Sequence, residues 1–174
     1  MGGRVALEVM RQASHRVTHL ALLDTGFETI AADEAGERER MQRYSLLNIA
    51  QTRGMHAMAV DWAQAMVHPD RLSDAPFMQR IYDMISRTTP TRFAAQIRAL
   101  LSRPDAGDVL SAIRCPTLVL CGRQDTWSPW SRHEEIARRV ATSTLVGIDR
   151  CGHMAPMEQP DEVTTALREL FDRT

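Results

Sequence analysis

Asp125 and His153 are the two side chains of this 174-residue chain whose type and setting point to chemistry. Asp125 closes the run TLVLCGRQD (117–125), an apolar stretch bounded by Pro116, a glycine at 122, and then a carboxylate. His153 closes DRCGH (149–153), directly after a second apolar run over 144–148. A fixed carboxylate can orient an imidazole and stabilise its charged form. An imidazole, titrating near neutrality, can take a proton from a hydroxyl and return it. An acid and a base on loops after strands read as two parts of a catalytic triad. The plainer alternatives are a turn aspartate capping residues 127–132 and an exposed loop histidine. The third part, a nucleophile, is not evident. Ser14 and Ser128 lack the flanking glycines of a strand-to-helix elbow. Cys151 reads as a small residue packed beneath the histidine loop. Asp24, in DTG after the run LALL, reads as a turn residue.

Positioning these residues takes a parallel sheet. The run 117–121 is apolar throughout, as in a strand buried on both faces. Residues 17–23 (VTHLALL), from Val17 to Leu23, read as a strand before it, and 144–148 as one after it. Between them the pattern is helical: 3–15 at the start, 108–113, 131–141, and a last helix with Pro160 at its first position and Val163, Leu167, Leu170 and Phe171 as its stripe. In the first helix, Val5 and Val9, and Ala6 and Met10, stand at i, i+4 spacing. From Phe27 to about Asp105 the spacing is helical throughout, giving four helices over 33–51, 54–67, one capped by Asp74 and one opened by Thr89-Pro90. The charged start of this block (EAGERERMQR) reads as a solvated face. The expected class is α/β, with about three parallel strands and right-handed crossovers.

Composition narrows the partners. The chain is 44% hydrophobic and 25% charged with a formal net charge of −1, which gives no reason to expect nucleic acid or an anionic membrane. No apolar run approaches a membrane span, and the first residues do not read as a signal peptide. Three cysteines without a C-x-x-C pair fit a reducing compartment, so a cytoplasmic location is expected. His133-Glu134-Glu135 lacks the second histidine of a zinc-binding helix, so no metal is expected.

In this order, the motifs resemble the α/β-hydrolase superfamily. IRCPTLVLCGRQD looks like that family's seventh strand and acid loop, GHMAPMEQPDEV like its histidine loop and last helix, and RVTHLALLDTG like its sixth strand. The resemblance implies an incomplete α/β-hydrolase fold: a partial core over 1–26 and 106–174, and a helical cap inserted over 27–105. It implies Asp125 and His153 as catalytic acid and base, with Asp24 as the alternative acid. Met1-Gly2-Gly3 looks like the segment just after the family's nucleophile, Ser-Met-Gly-Gly. On that alignment the nucleophile, a serine or an aspartate, precedes Met1, and the backbone N–H of Met1 would be an oxyanion donor. Trp62, Met66, Trp127 and Trp130 would line an apolar substrate site, with core packing the equal alternative for each. The implied parent hydrolyses small apolar esters or related acyl or carbon–carbon bonds, with a small-molecule substrate and no cofactor. The chain itself is expected to be catalytically incomplete. The other readings are a non-enzymatic binding protein or one half of a two-part enzyme. The missing fifth strand would leave 17–23 as an apolar edge, from which self-association is expected.

Overall fold

The computed structural model describes residues 1–173. In chain order its elements are α1 (Gly2–Ala13), β1 (Leu20–Leu23), α2 (Glu34–Ala63), α3 (Ala75–Ser86), α4 (Pro90–Leu101), α5 (Gly107–Ala112), β2 (Thr117–Gly122), α6 (Trp130–Arg139), β3 (Ser143–Ile148), α7 (Ala155–Glu158) and α8 (Pro160–Phe171). They form two compact units. One comprises residues 1–27, 66–68 and 105–174, and the other 28–65 and 69–104. The expected boundaries at 27 and 105 therefore shift slightly. Phe27 is 3% exposed and packs in the core of the first unit, and Met66–His68 leave the helical block to join that unit as well.

The first unit is a three-stranded parallel sheet in the order β1-β2-β3, with helices on both faces. Every residue of β2 is buried, as its unbroken apolar run requires of a central strand. Strand alternation then divides the core. Leu20, Leu22 and Val119 pack with Leu7, Met10, Leu110 and Ile136 of α1, α5 and α6. Leu118 and Leu120 pack on the opposite face with Val163, Ala166 and Leu170 of α8. Of the two i, i+4 pairs in α1, Ala6 and Met10 face the core, while Val5 and Val9 are exposed.

Two boundaries differ from the sequence expectation. Strand β1 begins at Leu20, not Val17. Leu20 N–H bonds the carbonyl of Pro116 and pairs with Thr117, and Pro116 has no N–H with which to extend the ladder. Helix α1 ends at Ala13 and tightens into a 3-10 turn over Ser14–Arg16.

In the second unit the two helices expected over 33–51 and 54–67 are joined into α2, kinked at Gly54, whose φ of 87° suits glycine. Asp33, Asp74 and Thr89 each accept backbone N–H bonds at a helix start. The charged face is not wholly solvated. Glu39 is half-buried, bonded by both Arg103 amino nitrogens (2.9 and 3.0 Å) and by Arg43. Burial opposes its charge, but the two guanidinium groups outweigh that and hold the carboxyl below the usual range.

Candidate active site

The β2–β3 ladder does not stop with the strands. Arg123 N–H bonds the Ile148 carbonyl at 2.8 Å, and Gln124 N–H bonds the Cys151 carbonyl at 2.9 Å. Cys151 N–H returns a bond to the Gln124 side chain at 3.0 Å. The loop carrying Asp125 and the loop carrying His153 are thus zipped together. Gly122 makes this close approach possible, because a Cβ there would stand against the Gly152 carbonyl and 2.7 Å from the Cys151 carbonyl carbon.

At the end of the zipper, His153 Nδ1 and Asp125 Oδ2 are 2.8 Å apart. Asp125 is 4% exposed, and its other oxygen accepts from the N–H groups of Trp127 (2.8 Å) and Ser128 (2.9 Å). It therefore caps the following turn and holds the imidazole at once. A carboxylate only accepts, so in the neutral ring the proton sits on Nδ1 and Nε2 carries the lone pair. Nε2 has no hydrogen-bond partner among the described residues. The Trp127 ring lies 5.1 Å from the His153 ring at a tilt of 43°.

The rival acid is placed differently. Asp24, at φ 46° in the left-handed region that Asp tolerates, accepts from Gly122 N–H (3.0 Å) and Ala155 N–H (3.3 Å). It clasps the ends of β1 and β2 to the start of α7, and the carboxylate bonded to His153 is Asp125. Burial pushes the Asp24 carboxyl up to about 7, outweighing its bond from Gly122 and the nearby His153. Asp24, Cys121 and Asp125 bring potential ligand atoms within 4.8 Å of one another. The carboxylates are occupied by backbone and imidazole donors. The Cys121 thiol donates to the Gly122 and Ser128 carbonyls, and burial raises its pKa. The cluster is a hydrogen-bonded hub. Cys151, fully buried beneath the histidine loop, is likewise pushed up by burial, which does not suit a nucleophile.

Of the remaining expected residues, Met66 contributes its carbonyl, which accepts from His153 N–H at 2.7 Å. Trp130 lies against Gly147 of β3 with the Arg123 guanidinium 4.4 Å above its ring, and makes no ring contact with His153. That is packing of α6 on the sheet. Trp62 is half-buried in the helical unit, 5.6 Å from the Phe93 ring. Met1 is the N-cap of α1, about half exposed, and its carbonyl accepts from Arg4 and Val5.

Two buried polar residues lie beside this site without having been expected in it. His133 is fully buried in α6. Its Nε2 accepts from Thr25 N–H at 3.0 Å, which places its proton on Nδ1, 3.2 Å from the Pro129 carbonyl. Burial lowers its pKa and keeps it neutral. Glu158 is fully buried and bonds three backbone N–H groups around His153.

No helix among the described residues is long and apolar enough to cross a membrane. Comparison with known proteins agrees with the fold. The profile described as "Alpha/beta hydrolase family" matches residues 1–166. Over 92 residues the chain is 32% identical to a 2-hydroxy-6-oxononadienedioate/2-hydroxy-6-oxononatrienedioate hydrolase 1 of Pseudomonas putida, covering 52% of this chain and 32% of that protein. A thermophilic esterase from Thermogutta terrifontis, solved with malate bound, superposes with a TM-score of 0.87 at 31% identity, covering 98% of this chain and 61% of that one. An enol-lactonase from Burkholderia xenovorans LB400 shares the fold at a TM-score of 0.85 and 21% identity, with 99% and 63% covered. The chain thus spans about a third of the curated relative and under two thirds of the solved structures. By the profile match over most of its length, the chain belongs to the alpha/beta hydrolase family.

Proposed function

We propose that this chain supplies the acid and base arms of a hydrolase that attacks a carbonyl carbon through a covalent intermediate. Its substrate would be a small apolar ester, or a carbon–carbon bond beside a carbonyl. The observation that supports this is the Asp125–His153 bond with Nε2 left available. In this reading His153 Nε2 takes the proton of a nucleophilic hydroxyl as that oxygen attacks the carbonyl, and Asp125 stabilises the imidazolium. The same proton then goes to the leaving group. Water, activated by His153, releases the acyl group. The nucleophile is supplied by residues outside these 174, and the backbone N–H of Met1 is one oxyanion donor. Trp127 forms the wall beside the base. The named substrates of the Pseudomonas hydrolase and the esterase activity of the Thermogutta enzyme support this range of substrates and do not choose within it.

Because triad members act as a unit, acid and base without a nucleophile leave little acceleration. The 174-residue chain is therefore expected to turn over a chromogenic short-chain ester no faster than buffer. Robust turnover that is lost in His153→Ala would place a nucleophile within the chain and overturn this part of the proposal.

The open side of β1 supports a second expectation, self-association. Leu20 and Asp24 donate their N–H groups to β2, so alternation directs those of Ala21 and Leu23 to the unpaired edge. Light scattering is expected to show dimers or larger species. Ala21→Pro, which removes an edge donor and no bond to β2, is expected to reduce them. A monomer at all concentrations would contradict it.

A further inference from the structure

The base of the proposed triad is held by its backbone as well as by its ring. Directly after His153, the single helical turn α7 folds the chain back, and Glu158 N–H bonds the Met154 carbonyl at 2.9 Å. This turn returns the Glu158 carboxylate beneath the residues on either side of His153. Oε1 accepts from Gly152 N–H at 3.0 Å and from Met154 N–H at 3.1 Å. Oε2 accepts from His68 N–H at 2.7 Å. His153 N–H, between the first two donors, bonds the carbonyl of Met66 at 2.7 Å. Three successive N–H groups, 152 to 154, are thus satisfied by one carboxylate and by the segment 66–68, which that carboxylate also holds. Gly152 packs directly on this segment. A Cβ there would meet Val67, Met66 and His68 backbone atoms at 2.7–2.9 Å.

We infer that Glu158 is a positioning residue for His153: its carboxylate sets the backbone of the histidine loop against residues 66–68 and so fixes where the imidazole meets Asp125. This rests on the reading of His153 as the base. A fully buried carboxylate is costly unless donors surround it, and here three backbone donors do. An apolar side chain would fill the space without engaging the donors. Glutamine would turn an amide donor either toward His68 N–H or toward those of Gly152 and Met154. The turn α7 therefore works as a bracket under the base, and its acceptor must be a carboxylate.

The test is NMR on the 174-residue chain, unsubstituted and as Glu158→Gln. In the unsubstituted chain, the amides of Gly152, Met154 and His68 are expected to share a common protection against exchange, relative to each residue's intrinsic rate, since one carboxylate holds all three. In Glu158→Gln, exchange of the amides that face the new NH2 group, either His68 alone or Gly152 and Met154 together, is expected to accelerate about tenfold or more, and the downfield Nδ1–H signal of His153 is expected to broaden or vanish. The methyl signals of Val163 and Leu170 in α8 should stay in place. A merely structural role would alter stability without moving the His153 ring signal. A folded Glu158→Gln chain with an unchanged His153 signal overturns the inference. Should that variant not fold, the unsubstituted chain still decides, because His68 exchanging independently of Gly152 and Met154 would overturn it. A missing Nδ1–H signal in the unsubstituted chain would count against His153 as the base, whereas the shared amide exchange tests the bracket separately.

Discussion

Gly122→Ala is expected to destabilise the first unit by about 3 kcal/mol and to break the Asp125–His153 bond. The added methyl would meet backbone: the Gly152 carbonyl, and the Cys151 carbonyl carbon at 2.7 Å. No side chain can rotate away to make room, so the histidine loop as a whole must move. Overpacking against a fixed neighbour costs about 1–3 kcal/mol, and backbone neighbours place this site at the upper end. The displacement acts directly on the zipper of Gln124 and Cys151 that brings acid and base together. Urea denaturation reads the stability, and the His153 ring signal reads the bond. A variant as stable as the unsubstituted chain, with the signal intact, would show that the close approach at Gly122 is not what sets the loop.

Stability should also depend on pH through a residue outside the Asp125–His153 bond. The unfolded chain releases the Asp24 proton near its ordinary value of 3.8, while the folded chain holds it up to about 7. Folding therefore takes up a proton between those values, and this contribution falls as pH rises through the window. The span amounts to roughly 4 kcal/mol at full ionisation. His133 acts in the opposite sense. Burial lowers its pKa in the folded chain, so its contribution is complete above about pH 6.5 and is lost as pH falls below that value. Asp24→Asn isolates the first effect. Its amide cannot match both the Gly122 and Ala155 donors, which gives a pH-independent offset of about 1 kcal/mol. Relative to the unsubstituted chain, it should gain stability steadily from pH 4 to about pH 7 and then level off toward pH 8. Denaturant titrations at those pH values check this, and a constant difference between the two chains would contradict it.

The sheet and the meeting of Asp125 with His153 were legible because their signals are local. A short unbroken apolar run bounded by proline and glycine reads as a central strand, and the loop after such a strand lies at the carboxyl edge of the sheet. Helix starts at Asp33, Asp74 and Thr89 were visible for the same reason, because a cap is written in the residue that makes it. What escaped depends on partners distant in sequence. The start of β1 is set by Pro116, 96 positions after Leu20. The assignment of Met66–His68 to the first unit depends on Gly152 and Glu158. Asp24 and Asp125 are equivalent as residue types, each just past a strand. Only the zipper between 123–124 and 148–151 gives His153 to Asp125 and leaves Asp24 to the backbone. His133 and Glu158 look like surface residues in charged or turn-rich surroundings, and only tertiary packing buries them.

The central claim, that the chain holds a preassembled acid–base pair, is tested most directly by the nitrogen and proton spectrum of the His153 ring. The expected spectrum is one in which the ring, when neutral, carries its proton on Nδ1, with that proton far downfield in its bond to Asp125 and absent in Asp125→Asn. A ring protonated on Nε2, or one averaging between tautomers with no downfield proton, would contradict it.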